Sequence, residues 1–596
     1  MQINFINKQL EKVLFGVNAI ASAMVVTSFV LLYGFNHPLI PAKILFVIQV
    51  FLLVFFVFEK VLRFFNSESR VQFLKVNWFE IALLIFLIIA ILGAGHWFAR
   101  GSSRVMNVRH FAVGIYLILQ VVIKLCRTSI NLAASGKSPT RTLIGSFVVL
   151  ILSGAGLLML PAATRNGETI SFVDALFTST SATCVTGLVV KDTGQDFSLM
   201  GQIVILTLIQ LGGLGIVIFG GVLALLLGQA FSLRESVAMQ DLLSAGTLSR
   251  IGNMIAFIFI GTIFIEGLGA VGLYGMWHNI PGGSGPFNQW FCSIFHSISA
   301  FCNAGFGLFD SSLISYSRTW QIYFVICPLI IFGGLGFTVL YDLANITADR
   351  IKRLLKKLLN KQYRFSMAAP KRMLLQTKVV ILTSAILIVF GALAIMLFER
   401  YASGSQSGNH ISMLDALFQS ITARTAGFNT VDIGTLTPSS RFILILLMFI
   451  GGSPGSTAGG IKTVTFVVVI MTAIAALRKR GEVEMFKRSV RIVVVGRAIT
   501  VTLFFVLVLF VTALTLSITE QSNGFSMSDI IFESGSALGT VGLTAGITPA
   551  LTTMGKLIII TVMLIGRLGP LTLLAALTFN LKPAKYNYPD EALIVG

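Results

Sequence analysis

The sequence predicts an all-α polytopic membrane protein, four copies of a span–loop–span unit preceded by about four extra N-terminal transmembrane helices. Three observations carry that prediction. The chain of 596 residues is 55% hydrophobic and only 11% charged, its mean hydropathy is +0.88, and apolar runs long enough to cross a bilayer recur from end to end. One short Ser/Thr-rich segment returns four times at a near-constant period. Lys and Arg gather in a few loops, while loops between them such as 276–289 and 517–529 hold none. A water-soluble core is excluded by this composition.

The charge distribution sets the topology. A formal net charge of +20 would suit nucleic acid, but the basic residues concentrate at 349–372 and 478–488, with smaller sets at 60–75 and 127–141. Loops such as "MWHNIPGGSGPFNQ" and "SITEQSNGFSMSD" carry neither Lys nor Arg. The pattern places the basic loops on the cytoplasmic side of a multi-pass protein of the cell inner (plasma) membrane, with the lipid bilayer and not nucleic acid as partner. "MQINFINKQLEK" lacks a short apolar core followed by a small-residue cleavage site, so the first apolar run reads as a retained span. Cys126, Cys184, Cys292, Cys302 and Cys327 form no C-x-x-C pair and suggest neither a disulfide framework nor a metal site.

Residues 1–140 supply spans near 14–34, 43–58, 79–98 and 110–126. "FEKVLRFF" and "NWFEIALLIF" resemble the second and third helices of voltage-sensor domains, yet the fourth span lacks an arginine at every third position. Arg100, Arg104 and Arg109 precede it, and Lys124 and Arg127 close it. This N-terminal four-helix membrane extension is therefore expected to serve packing or assembly.

The repeat begins with "FTSTSATCVTGLVV" at Phe177. Its pattern F-x-S-x-[ST]-A recurs from Phe295, Phe418 and Phe532, and four or five residues after each Ala comes a glycine followed by Leu or Phe: Gly187, Gly305, Gly427 and Gly542. These glycines are 118, 122 and 115 residues apart. Apolar spans precede the copies at 143–160, 251–274, 379–398 and 492–516 and follow them at 203–227, 322–340, 442–476 and 557–574. Each copy is thus a re-entrant segment between two spans, and pore repeats are expected at 141–235, 236–347, 348–480 (with a basic cytosolic loop) and 481–596 (with a C-terminal tail). Three segments open with S-x-x-D (Ser171/Asp174, Ser412/Asp415, Ser526/Asp529), a variant of the capping box, and predict short helices of about two turns. The second copy has "GPFNQWF" instead, and the third is one residue shorter between Ala423 and Gly427, so fourfold symmetry is approximate.

Every second span carries a glycine patch: Gly212-Gly213-Leu-Gly215, Gly333-Gly334-Leu-Gly336, Gly451-Gly452-Ser-Pro454 and Gly566-Arg567-Leu-Gly569. Glycine inside a helix costs about 1 kcal/mol relative to Ala, so each patch needs a reason. Close helix packing is one reading of the first two. "GGSPGSTAGGIKT", from Gly451, is too rich in Gly and Ser to stay helical, and predicts an irregular loop at membrane depth, enclosed by protein or lining a watery path.

Four non-helical segments converging on one axis would offer carbonyls to a dehydrated cation, which is the physics of a selectivity filter. Glycine lets those carbonyls turn to the axis, and each short helix aims its partially negative C-terminus at the path. The fold class is then four span–pore loop–span repeats around a pseudo-fourfold pore.

With "SATCVTGL", "CNAGFGLF", "TARTAGFN" and "GTVGLT", over roughly residues 140–580, the sequence resembles the Trk/Ktr/HKT superfamily of potassium transporters, above all bacterial Ktr/Trk-type membrane subunits. The resemblance implies that Gly187, Gly305, Gly427 and Gly542 are filter glycines. It implies that carbonyls of Val185, Thr186, Asn303, Ala304, Thr425, Ala426, Thr540 and Val541 line ion sites. It makes Gly451, Gly452, Ser453, Pro454, Gly455, Ser456, Thr457, Ala458, Gly459 and Gly460 an intramembrane gate loop and Arg567 a pore-facing arginine beneath the filter. K⁺ would be the substrate ion at the filter residues, with no cofactor in this chain. A side chain at a filter glycine would, by the same resemblance, lean toward Na⁺. Related proteins work as homodimers on a cytosolic ring of nucleotide-binding regulatory subunits, which implies the same partners here and basic loops as their docking surface.

Other in-span charges have separate expectations. Glu533 and Arg424 would pair behind the filter; Lys462 would snorkel to the cytosolic face or take part in gating; Glu266 has no evident role. A secondary transporter coupling Na⁺ or H⁺ to a solute is the alternative, but such folds usually show two repeats, often inverted. An enzyme fares worse, because no H-E-x-x-H is present.

Overall fold

A computed structural model describes residues 6–35, 40–78, 139–215, 251–278, 285–358, 371–401 and 411–569, with isolated positions between 80 and 120 and at 280 and 283. Five helices among the described residues are long and apolar enough to cross a membrane, or six if one bent pair is counted as a span. The chain is a mostly helical, multi-pass membrane protein.

The N-terminal region opens with α1 (Lys8–Tyr33), α2 (Ala42–Asn66) and the short α3 (Arg70–Val76). Asn7 caps α1 by accepting the N–H groups of Gln9 and Leu10, so the polar start of an otherwise apolar helix is satisfied by its own sequence. Ala21, Val25, Leu52 and Phe56 pack with Leu87 and with Ala112, Val113, Tyr116 and Leu117. In this bundle the fully buried Glu59 accepts from Asn18 Nδ2 at 3.0 Å and forms an ion pair with Arg63 at 2.5 Å, Arg63 reaches Glu11 at 3.0 Å, and Lys60 pairs with Glu80. Most of the expected spans 79–98 and 110–126 lies outside the described residues, as does Cys126.

Four similar groups of helices follow. The first spans are α4 (Pro139–Leu158), α7 (Ile251–Leu273), α11 (Leu375–Tyr401) and α15 (Ile492–Thr519). The helices bearing the repeated motif are α5 (Phe172–Thr183), α8 (Pro286–Cys302), α12 (Met413–Thr422) and α16 (Met527–Gly539). At 12, 17, 10 and 13 residues they exceed the two turns expected, because the helix runs on through the Ser and Thr of the motif. Ser171 and Ser526 accept the N–H of Asp174 and Asp529 as the capping pattern requires, whereas Ser412 accepts from Leu414. The second spans are α6 (Leu199–Leu214), α9 (Cys327–Leu335) continued by α10 (Phe337–Leu358), α13 (Pro438–Phe449) continued by α14 (Thr463–Leu477), and α17 (Thr553–Leu568).

All four second spans stop at their glycine patches, not the third alone. Gly215, Gly336 and Gly569 adopt φ of 82°, 86° and 79°, which ends a right-handed helix. After Gly336 the chain turns through 103° into α10. The expected helical continuations beyond 215 and 569 lie outside the described residues, as do 359–370 of the first basic loop. The second basic loop holds a hairpin that the sequence did not announce, β1 (Val483–Met485) against β2 (Arg488–Val490), with Val483 opposite Val490. Phe486 and Lys487 take positive φ in its turn, and Lys479 takes positive φ where α14 ends before it.

The groups are tied at their seams. Asp174 at the start of α5 pairs with Lys556 of α17 at 2.7 Å, Asp529 of α16 with Arg441 of α13 at 2.9 Å, and Asp415 of α12 accepts from Tyr323 at 3.1 Å. The capping residues of the re-entrant pattern therefore also join neighbouring units.

Candidate functional site: a closed ring of four glycines

The four motif glycines meet. Gly187, Gly305, Gly427 and Gly542 have φ of 92°, 69°, 81° and 95°. A Cβ on Gly187 would stand 3.0 Å from Gly305 Cα, one on Gly305 3.0 Å from Gly427 Cα, one on Gly427 3.2 Å from Gly542 Cα, and one on Gly542 3.0 Å from Gly187 Cα. The ring closes in chain order. In each case the group met first is the carbonyl oxygen of the residue before the next glycine: Ala304, Ala426, Val541 and Thr186 in turn. Any side chain on these glycines would displace those carbonyls.

Two residues before each glycine the backbone is also left-handed, at Val185 (57°), Asn303 (60°), Thr425 (82°) and Thr540 (49°). The residue between has negative φ, so handedness alternates along each strand and turns successive peptide planes. Non-glycine residues in this region are uncommon, and a β-branched Val or Thr there is strained unless its surroundings enforce it. The helix ends enforce it. Thr186, Ala304 and Val541 donate their N–H at 2.8 Å to the carbonyls of Ser181, Ser299 and Ser536, a wide C-terminal bond that needs an intervening left-handed residue. The third strand, one residue shorter, ends α12 sooner, at Thr422, and closes with a bond one residue narrower, from the Ala426 N–H to the Thr422 carbonyl at 2.8 Å.

The repeated motif supplies the scaffold. Phe177, Phe295, Phe418 and Phe532 are at most 1% exposed. The first Ser anchors three motif helices to their first spans: Ser179 donates to Ile151 at 2.7 Å, Ser297 to Glu266 at 2.6 Å and Ser420 to Ile388 at 2.8 Å, all carbonyls. Ser534 bonds within its own helix to Ile530. The second Ser or Thr holds the strand: Ser181 and Ser536 accept the N–H of Gly187 and Gly542 at 3.1 Å, while Ser299 and Thr422 donate to the carbonyls of Phe306 and Phe428 at 2.7 Å.

The 451–460 loop lies against this ring. A Cβ on Gly459 would strike Thr540 Oγ1, and one on Gly451 the Gly459 carbonyl. The loop is bonded to the broken second span before it: Ser453 N–H donates to Gly334 at 3.0 Å and Phe337 N–H to Gly455 at 2.9 Å. Arg567 joins loop and wall. Its guanidinium donates to the Thr457 carbonyl, to Gly212 and, at 3.2 Å, to Gly213. Gly212, Gly333 and Gly566 press on the carbonyls of Thr183, Phe301 and Leu538 at the ends of motif helices, so these glycines serve close packing as well as the break beyond them.

Two charge expectations are corrected, and Glu266, for which there was none, has partners. Glu533 and Arg424 do not pair: Glu533 accepts from Thr544 at 2.9 Å and from Thr548, whereas Arg424 donates to Ser384 at 3.1 Å through both terminal nitrogens. Each side chain bonds to groups within its own reach, Glu533 to two threonine hydroxyls and Arg424 to the carbonyl and hydroxyl of Ser384. Lys462 does not snorkel; its amine donates to the Ala458 carbonyl at 2.6 Å inside the loop. Glu266 joins a polar group with Gln210, 3.1 Å away, and Cys302, whose sulfur lies 3.9 Å off.

Sequence reading missed Gly154, Gly269 and Gly391, where a Cβ would collide with Ser179, Ser297 and Ser420. They stand 23, 26 and 27 residues before the motif Phe, so no fixed spacing marked them. It also missed Glu399 and Glu520, which close the third and fourth first spans onto the caps Thr437 and Thr552 at 2.8 and 2.6 Å.

A fourfold set of short buried helices delivering alternating-handed backbone to one ring of glycines defines a membrane protein organised about that ring. The profile of the TrkH family, described as cation transport proteins, matches residues 105–587. The chain belongs to that family. It is 38% identical to the Ktr system potassium uptake protein B of Bacillus subtilis over 463 residues, 77% of this chain and 97% of that protein. It is 35% identical to the potassium/sodium uptake protein NtpJ of Enterococcus hirae over 465 residues, again 77% and 97%. The crystal structure of the potassium transporter TrkH from Vibrio parahaemolyticus shares the fold, with a TM-score of 0.55 at 20% identity, covering 84% of this chain and 96% of that one. Residues 1–104 lie outside the family profile.

Proposed function

We propose that this protein takes up K⁺ through a channel-like pore on the axis of the glycine ring, as the membrane subunit of a regulated uptake system. The observation that carries the reading is the ring itself: four glycines closing in chain order, each against the carbonyl of the next strand. Carbonyls held by alternating backbone replace a cation's hydration shell, and the four motif helices end a few residues before the ring, with their partially negative termini toward it. All four ring positions are glycine, which keeps side chains out and favours K⁺ over Na⁺. The names of the relatives, potassium uptake in one and potassium/sodium uptake in the other, support the same substrate class.

The loop from Gly451 to Gly460 serves as the gate. Bound to the broken span before it and tethered by Arg567 through Thr457, it obstructs the path beside the ring. The working assembly is a homodimer in the cell inner membrane, its basic loops cytoplasmic and docked on a nucleotide-binding ring of separate subunits. Uptake of ⁸⁶Rb⁺ or K⁺ by a potassium-uptake-deficient host expressing the chain tests the reading, and absence of uptake from correctly inserted protein would reject it.

A further inference from the structure

Three of the four seams are closed by one pair of positions. The third residue of a motif helix, Asp174, Asp415 or Asp529, meets Lys556, Tyr323 or Arg441 on the neighbouring second span. The seam between the first and second units is different. Counted from the caps Gly285 and Ser198, the equivalent residues are Asn288 and Gln202, which carry no charge. In place of the tie lies a cavity of about 220 Å³ that both residues line.

The cavity wall combines three features. Arg165 lines it, and among the described residues its guanidinium has no hydrogen-bond or ion-pair partner. Gln202 is only 7% exposed; its amide nitrogen donates to Thr193 and Phe197, while its amide oxygen accepts no hydrogen bond among the described residues. The start of α8 is capped by Gly285 and so lacks the side-chain acceptor that Ser171, Ser412 and Ser526 give the other motif helices. Around these polar groups the lining is apolar, with Phe287 67% and Leu199 45% exposed and Phe291 beside them.

We propose that this seam binds the headgroup of an anionic glycerophospholipid. The phosphate sits between Arg165 and the uncapped start of α8, where guanidinium and helix dipole both favour negative charge. A headgroup hydroxyl donates to the Gln202 oxygen, and the acyl chain covers Phe287 and Leu199. The lipid phosphate thus supplies at this seam the negative charge that Asp174, Asp415 and Asp529 supply at the others. The proposal does not depend on which ion the ring selects.

The test uses the full chain, purified in detergent and stripped of lipid, with dioleoyl-phosphatidylglycerol, dioleoyl-phosphatidylcholine and inorganic phosphate as separate probes. Phosphatidylglycerol is expected to stay bound in native mass spectra and to raise the melting temperature, and the other two to do neither. Arg165→Gln, at an exposed position, should keep the wild-type elution profile and lose about tenfold in phosphatidylglycerol affinity. Asn288→Asp, which restores the residue of the other seams, should also weaken phosphatidylglycerol binding by repulsion. Equal binding by wild type and both variants would overturn the proposal. Equal protection by inorganic phosphate would overturn the lipid as the source of the anion.

Discussion

Gly542 and Gly187, 355 residues apart in the chain, close the ring: a Cβ on Gly542 would stand 3.0 Å from Gly187 Cα and against the Thr186 carbonyl. The last unit therefore completes a structure begun by the first. Gly542→Ser is expected to lower the preference for K⁺ over Na⁺ while the protein still inserts, because the side chain displaces one carbonyl of the ring. Competition uptake of the two ions checks it, and an unchanged ratio would count against the filter.

Ser536 holds the same strand from outside, accepting the Gly542 N–H at 3.1 Å. Ser536→Ala removes that acceptor and no bulk. A loss of about 1 kcal/mol, roughly fivefold in the K⁺/Na⁺ ratio, is expected. The same competition assay reads it, and an effect larger than that of Gly542→Ser would show that the ring tolerates side chains better than strand movement.

Deleting part of 452–458 should raise ion flux, and so should Arg567→Gln, which removes the donor to Thr457, Gly212 and Gly213. Both changes release the same obstruction. Flux through proteoliposomes is the measurement; a fall in folded protein would make the loop a permeation element.

Asp529 and Arg441 are 22% and 19% exposed and 2.9 Å apart. Asp529→Asn leaves the guanidinium half-buried without its anion, and should cost about 1–3 kcal/mol, seen as a lower melting temperature in detergent. No change would mean that the seam is held by apolar packing alone.

Docking of a cytosolic ring on the basic loops predicts that charge reversal at Lys356, Lys357, Lys479 and Arg480 releases the ring and uncouples flux from nucleotide, with ion preference intact. High salt should weaken the same complex, since exposed charges are screened within about 8 Å at physiological ionic strength. Wild-type yield of ring co-purifying with the quadruple variant would reject this surface.

The four glycines were legible because the ring demands φ near +80°, and only glycine meets that demand without strain while leaving the centre clear. The motif helices were legible for a similar reason: Ser, Thr and Asp at fixed offsets answer local needs of a helix start or a helix end. Val185 and Thr540 show the limit. Nothing in a β-branched residue announces a left-handed backbone; the wide bond from Thr186 to Ser181 and its counterpart from Val541 to Ser536 impose it.

By itself, then, the sequence determined the membrane setting, the fourfold repeat and the glycines at its centre, because hydropathy, period and backbone freedom are properties of residues in order along the chain. Tertiary structure alone decided which groups satisfy the buried charges and where the units join. Arg567 finds carbonyls more than a hundred residues away, and Glu533 finds Thr544 and Thr548 in place of Arg424. A buried polar group bonds to whatever partner the packing brings within about 3 Å, and sequence spacing does not encode that distance.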